Sequence, residues 1–237
     1  MSQLSFSRLS NPPQSYTMPR GALALCAVAT ALNPLQVCHH KTCSKNGLAK
    51  RTLDIAHVLG GPEAAVPTAA CQSGCNAGTV SVVGRRLYDV ERASAATLAA
   101  ILEIELGVAV TDAAVDACDK LAAADAAQRR GDKDVARETL RALLDDAAAL
   151  AAAPRLEALA AVRLFDLLAG EAAQREALEP ILIRSAEHDT AATWRLAASR
   201  GARGDCDGQR EVLIALTKRE PAAVDAVREL MEGCVVS

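Results

Sequence analysis

The second half of the chain alternates apolar and polar residues at the spacing of an α-helix. One stretch shows this most clearly, because its apolar residues recur every three or four positions: Leu156, Leu159, Val162, Leu164, Leu167 and Leu168. This spacing collects the apolar side chains on one helix face, which can pack against a neighbouring helix. Similar stretches, separated by breaks such as Gly131-Asp132, Gly170 and Gly204-Asp205, predict seven helices between Thr111 and Glu232.

Shorter apolar runs in the first half predict strands beside a few helices. The β-branched run at residues 79–83 and the run at residues 87–90 flank Gly84, which is typical of a β-hairpin. Residues 35–37 predict a short strand, and residues 48–59 predict a short helix. Ser94 is a good N-cap residue, so we expect another helix to follow it.

The composition of the chain favours helices and argues against nucleic-acid binding and a membrane span. The chain is 51% hydrophobic but only 2% aromatic, and much of the apolar fraction is alanine, the strongest helix former. A net charge of −3 gives no general attraction to nucleic acid. The longest apolar run near the N-terminus, Gly21 to Leu32, is 12 residues long, whereas a membrane span needs about 20. We therefore expect no nucleic-acid partner and no transmembrane segment.

The first 33 residues are rich in serine, contain arginine and lack acidic residues. This composition predicts an organellar targeting segment of the transit-peptide type over residues 1–33. Two other interpretations stay open, namely a signal-peptide core around residues 21–32 and a disordered tail.

Four of the eight cysteines form two close pairs, Cys38 with Cys43 and Cys71 with Cys75. Two such pairs suit a [2Fe–2S] cluster, because each pair can supply the two thiolates that one iron needs. Structural zinc also accepts closely spaced cysteine pairs, and two disulfides or a degenerate site without a cluster stay open. The spacing C-x2-C of a dithiol redox site does not occur in the chain. His39 and His40 are expected to be solvated loop residues rather than ligands.

The cysteine pairs and the runs around them resemble a known family. The pattern is Val37-Cys38-x4-Cys43-x3-Gly47, then Ala70-Cys71-x3-Cys75-x2-Gly78, then Leu87-Tyr88-x-Val90 before a closing helix. It resembles the thioredoxin-like [2Fe–2S] ferredoxins over residues 34–107, although Thr79 stands where that family commonly has proline. The resemblance implies one cluster near the surface, held by Cys38, Cys43, Cys71 and Cys75, and one-electron transfer.

A second resemblance covers the helical half, most clearly residues 187–232. The segments that carry it are Asp189-Thr-Ala-Ala-Thr-Trp194-Arg-Leu196-Ala197, Arg203-Gly204-Asp205, Val212-Leu213-x2-Leu216 and Asp225 to Met231. They are similar to the tetratricopeptide-like C-terminal region of certain co-chaperone thioredoxins. The resemblance implies a helical repeat domain with a partner-binding surface. A non-repetitive bundle is the alternative.

Together these features predict an α/β thioredoxin-like ferredoxin domain at residues 34–110, followed by an all-α helical repeat domain at residues 111–237. We expect an electron carrier or redox subunit rather than a stand-alone enzyme. Its helices would dock it to a protein redox partner or an organellar complex, in a plastid or alternatively a mitochondrion. The competing hypothesis is a non-redox scaffold or complex-assembly factor in which the cluster is structural, sensory or lost.

Overall fold

The computed structural model describes residues 35–40, 43–44, 47–61, 66–70, 80–84, 87–90 and 94–232 of the 237-residue chain. The targeting segment predicted over residues 1–33 lies outside this part. Residues 34–237 form one compact unit. The predicted domain boundary at residue 110 stays a prediction.

Four short strands form one mixed sheet in the first half. They are β1 (Gln36–Cys38), β2 (Thr68–Ala69), β3 (Val80–Val83) and β4 (Leu87–Val90), in the order β2-β1-β3-β4. β1 runs parallel to β2 and antiparallel to β3, which pairs with β4 as an antiparallel hairpin. The hairpin predicted around Gly84 is therefore confirmed. Leu35 and Val37 are fully buried, so the sheet contributes to the protein core.

Helices make up most of the rest of the described chain. In the first half they are α1 (Leu48–Gly60) and α2 (Ala95–Leu106). The second half contains α3 (Asp112–Arg130), α4 (Lys133–Asp145), α5 (Ala147–Ala152), α6 (Arg155–Leu167), α7 (Ala172–Ala177), α8 (Glu179–Ala186), α9 (Thr190–Ala202), α10 (Cys206–Arg219) and α11 (Val224–Glu232), with a 3₁₀ turn at Pro221–Ala223 before α11.

The helix boundaries follow the local chemistry of the sequence. α3 ends at Gly131, whose φ of 90° is a left-handed conformation that glycine adopts without strain. The sequence pattern predicts one helix that continues to about residue 152 and another over about residues 171–185, but each of these stretches is divided into two helices. Asp146 separates α4 from α5, because its carboxylate accepts a hydrogen bond from the Ala149 N–H at 3.0 Å and caps α5. The second stretch is divided between α7 and α8. Pro180 lies in the first turn of α8, where its lack of an N–H costs no hydrogen bond.

The predicted fold class is wrong. The described residues are mostly helical, the strands are two to four residues long, and only β1 and β2 run parallel. This is a mostly all-α protein rather than an α/β thioredoxin-like domain followed by helical repeats. The physical reason is that the strands are too short to organise the core. One continuous cluster of buried side chains extends from Leu35 through the helices to Leu196.

An arginine of the second half ties the first half to the helices. Arg163 of α6 donates from Nη2 to Asp54 Oδ2 of α1 at 3.1 Å, and its Nη1 forms an ion pair with Asp125 Oδ2 of α3 at 2.6 Å. All three side chains are mostly buried. In the part of the chain that the structure describes, no helix combines the length and the apolar character needed to cross a membrane.

Candidate functional site

Cys38 lies at the end of β1 and is held by main-chain hydrogen bonds to β2. The N–H of Val37 donates to the Pro67 carbonyl at 3.0 Å, and the N–H of His39 donates to the Ala69 carbonyl at 3.0 Å. The parallel register pairs Cys38 with Ala69. Cys38 is fully buried and carries its sulfur as a thiol. The backbone therefore fixes this residue without help from side chains.

Cys43 lies in the loop between β1 and α1. The Ser44 N–H donates to the His40 carbonyl at 2.8 Å, and the Ser44 hydroxyl donates to the His39 carbonyl at 3.2 Å. The Cys43 carbonyl accepts from the Ala49 N–H at 3.0 Å, which ties the loop to the first turn of α1. Cys43 is 1% exposed, and its sulfur is also a thiol.

The second cysteine pair, Cys71 and Cys75, lies outside the described residues. The described chain stops at Ala70, immediately after β2, on the strand that lies beside Cys38. The structure thus brings Cys38 next to the segment that leads into Cys71. Among the described residues, no group of three histidine, cysteine or acidic side chains is arranged to hold a metal ion.

The remaining cysteines differ from the two pairs. Cys118 of α3 is fully buried, and burial raises the pKa of its thiol to about 12, with the nearby Asp119 adding to the effect. Cys118, an isolated cysteine in the sequence, is therefore a buried core residue. Cys206 begins α10, is half-buried and is disulfide-bonded, with its partner outside the described residues. Its solitary position in the sequence carried no signal of that bond. Cys26 and Cys234 lie outside the described part.

Basic residues near the first cysteine pair in the sequence could form an exposed rim, and among the described ones only some are exposed. His39, His40 and Lys50 are exposed, as expected for solvated residues. Arg51 is half-buried, and burial lowers the pKa of its guanidinium, with Arg129 adding to the effect. Arg51 therefore belongs to the charged interior near Arg163 rather than to the surface rim. Lys41 and Lys45 lie outside the described residues.

Sequence reasoning missed a groove of about 650 Å³ with a mixed polar and apolar lining, which lies between the two halves. Its walls come from α1, the first part of α6, the end of α8 and the start of the connection to α9, and they include His57, Arg155, Ser185 and His188. The His57 Nε2 lies 2.8 Å from the Val66 carbonyl, so this histidine connects α1 to the segment before β2. No sequence motif marks this groove, because its residues are distant in the chain. We call it the α6 groove.

Comparison of the chain with protein-family models, with curated proteins and with solved structures gives no match. The function of the candidate sites must therefore be inferred from the residues and contacts of this chain.

Proposed function

We propose that Cys38, Cys43, Cys71 and Cys75 hold a [2Fe–2S] cluster and that the protein carries electrons between protein partners. The supporting observation is the parallel pairing of β1 with β2, which puts Cys38 beside Ala69, two residues before Cys71. Two close cysteine pairs suit such a cluster, because each iron takes two thiolates.

The described half of this donor set fits such a group. Cys38 and Cys43 are thiols, they are at most 1% exposed, and main-chain hydrogen bonds hold both of them. Thiolate is the ligand that iron–sulfur clusters require, and a fixed backbone lowers the entropy lost on binding. When bound, the cluster would supply one-electron transfer. The chain itself would position the sulfurs and keep water away from them.

The alternatives make different demands on the same four residues. Zinc would also need all four thiolates, since structural zinc sites are closed four-coordinate sites. Disulfides would withdraw the sulfurs from any metal. Bound iron together with acid-labile sulfide therefore separates the cluster from each alternative.

The test is anaerobic expression of the full chain, followed by iron, sulfide and zinc analysis and an electron paramagnetic resonance spectrum after dithionite. We expect about two irons per chain and the signal of a reduced [2Fe–2S] cluster. Both should be lost in Cys38→Ser and in Cys71→Ser. Cys118→Ser is the matched control, because it changes another fully buried thiol and should leave the iron content unchanged. Zinc, or no metal in the anaerobic protein, would contradict the proposal.

The competing function, a non-redox scaffold or complex-assembly factor, is favoured by one feature of the last helices. Ile214, Val224 and Leu230 of α10 and α11 are each at least 40% exposed, and exposed apolar side chains are common at protein contacts. A cluster-free Cys71→Ser chain distinguishes the two functions. If the protein is a scaffold, its partner complex stays intact and functional. If it is an electron carrier, electron transfer between its partners is lost. The targeting segment over residues 1–33 and a plastid location stay predictions.

A further inference from the structure

The α6 groove has the size and the mixed lining of a small-molecule site. Its volume of about 650 Å³ falls within the range of roughly 300–1,000 Å³ that is common for such sites. Val58, Ala158 and Leu159 supply an apolar part, and charged and polar residues supply the remainder. The groove contains neither Cys38 nor Cys43, so ligand binding in it does not depend on the proposed cluster.

The acidic side chains of the groove already have partners within the protein. Asp54 accepts a hydrogen bond from Arg163 at 3.1 Å, and Glu157 accepts one from Arg184 at 2.6 Å. Asp189 caps α9 by accepting from the Ala192 N–H at 2.7 Å. Their negative charge is therefore compensated, and they do not call for a cationic ligand.

The first turn of α6 contains one acidic residue, Glu157, which is paired with Arg184, and the rest of this helix start has no such partner among the described residues. No side chain caps this helix of 13 residues, and within the described part of the chain its first turn has one backbone bond to the preceding segment, from the Leu156 N–H to the Ala153 carbonyl at 2.8 Å. The helix dipole makes such an end attractive to anions. Arg155, the first residue of α6, is exposed, and its guanidinium contacts no acidic group among the described residues.

A second observation, on a different helix, points to a ligand. Ser185 of α8 lines the groove and is only 7% exposed, yet its hydroxyl makes no hydrogen bond to any described residue. The hydroxyl is not among the fully enclosed unpartnered atoms of the described residues, so it is open to the groove, where water or a ligand can bond to it. A ligand oxygen at this position would satisfy the Ser185 hydroxyl.

We propose that the α6 groove binds a small organic anion, either a phosphate ester or a carboxylate. The N-terminus of α6, Arg155 and Ser185 take the anionic head group, and Val58 and Leu159 contact the apolar body. Arg184 stays with Glu157 and contributes little to the binding.

Isothermal titration calorimetry on the full chain tests this proposal with three probes: inorganic phosphate, phenyl phosphate and benzoate. Phenyl phosphate should bind more tightly than inorganic phosphate, because its ring buries apolar area in the groove. Arg155→Ala should weaken the binding of the tightest probe about tenfold, as expected for a hydrogen bond to a charged group. Ser185→Ala should weaken it by a smaller factor of about three to five.

Two matched control variants test whether the weaker binding is specific to the groove. Lys133→Ala removes an exposed cation from the first position of α4, outside the groove, and Ser199→Ala removes another buried serine hydroxyl, in α9. Both should bind the probes as the unmodified chain does. Binding that Arg155→Ala and Ser185→Ala weaken, but the controls leave unchanged, supports the proposal, and the tighter of phenyl phosphate and benzoate identifies the head group. Failure of all three probes to bind at millimolar concentration, or equal binding by the groove variants, overturns it. If Ser185→Ala does not fold, Arg155→Ala alone decides.

Discussion

The region of residues 35–106 and the region of residues 112–232 are held together by different means. In the first region, main-chain hydrogen bonds join segments far apart in the chain, as in the pairing of Val37 with Thr68 and with Val82. In the second, apolar helix faces pack together and arginines pair with acids on neighbouring helices. The difference shows why the backbone around the candidate ligands Cys38 and Cys43 is fixed by main-chain hydrogen bonds rather than by ion pairs between helices.

In the helical region, most of the arginines that form ion pairs do so with acidic residues outside their own helix. The pairs include Arg137 with Glu171 at 2.6 Å, Arg184 with Glu157 at 2.6 Å, Arg195 with Asp166 at 2.8 Å and Arg200 with Glu179 at 3.2 Å. The more exposed of these pairs, Arg184 with Glu157 and Arg195 with Asp166, contribute at most about 1 kcal/mol each. Since these cations already have partners, a cation without one, such as Arg155, is the better candidate for binding a ligand.

The largest expected effect comes from breaking the contact between the two regions. Arg163→Met should lower the free energy of unfolding by about 3 kcal/mol, because it leaves the mostly buried carboxylate of Asp125 without its ion pair. Asp54 loses one of its two cations and keeps Lys50 at 3.2 Å. Urea unfolding at neutral pH measures this loss. Burial already raises the pKa of Asp125, against the opposing effect of Arg163. Removing Arg163 raises that pKa further.

A raised folded-state pKa means that the folded chain binds the proton more strongly than the unfolded chain does. The contribution of Asp125 to the free energy of unfolding therefore falls as pH rises through its folded-state pKa. The loss of stability in Arg163→Met should consequently be greatest at neutral pH and smaller in acid. Arg195→Met is the control, since its pair with Asp166 is one-third or more exposed and should cost about 1 kcal/mol or less. Equal losses in the two variants would show that Arg163 does not join the regions.

A smaller effect is expected at two helix starts within the helical region. Asp132 and Asp205 each follow a glycine and precede a helix, but only the Asp205 carboxylate accepts a capping hydrogen bond, from the Gly208 N–H at 2.9 Å. Asp205→Ala should therefore cost about 1 kcal/mol, and Asp132→Ala should cost about half of that or less. Thermal unfolding compares the two, and equal costs would contradict the difference in capping.

The smallest effect concerns reactivity rather than stability. Because the pKa of Cys118 is about 12, its thiolate is scarce near neutral pH, and its burial also blocks reagents. Iodoacetamide at pH 8 should modify Cys118 at least about a hundredfold more slowly in the folded chain than in urea. Peptide mass mapping follows the reaction, and Cys118→Ser identifies the peptide. Rapid labelling of the folded chain would contradict the assignment of Cys118 to the core.

Local signals predicted most of the helices and strands. The cap at Ser94, the glycines after α3 and α9 and the β-branched run of β3 each act on near neighbours, so they can be recognised in a single sequence. The fold class failed because it depends on how long the strands are and on what covers them. The strand β2 is only two residues long and has no periodic pattern of its own.

The candidate sites show the same limit. The pairing of Cys38 with Cys43 is visible in the sequence because five positions separate the two residues, and both are buried as ligands would be. The α6 groove draws His57, Arg155 and Ser185 from three separate helices or turns, so no short motif marks it. The disulfide at Cys206 was also missed, since an isolated cysteine gives no indication of its partner.

The contact between Asp54 and Arg163 spans 109 positions of the chain, and this has a consequence for synthesis on the ribosome. At a translation rate of about 5–20 residues per second, roughly 5–20 seconds pass between the appearance of α1 and that of its partner arginine. During that interval α1 can pack against α2 and α3, which are synthesised earlier, but the part of its surface around Asp54 that α6 later covers stays exposed. This interval is when a chaperone, or aggregation, would compete most strongly for the growing protein.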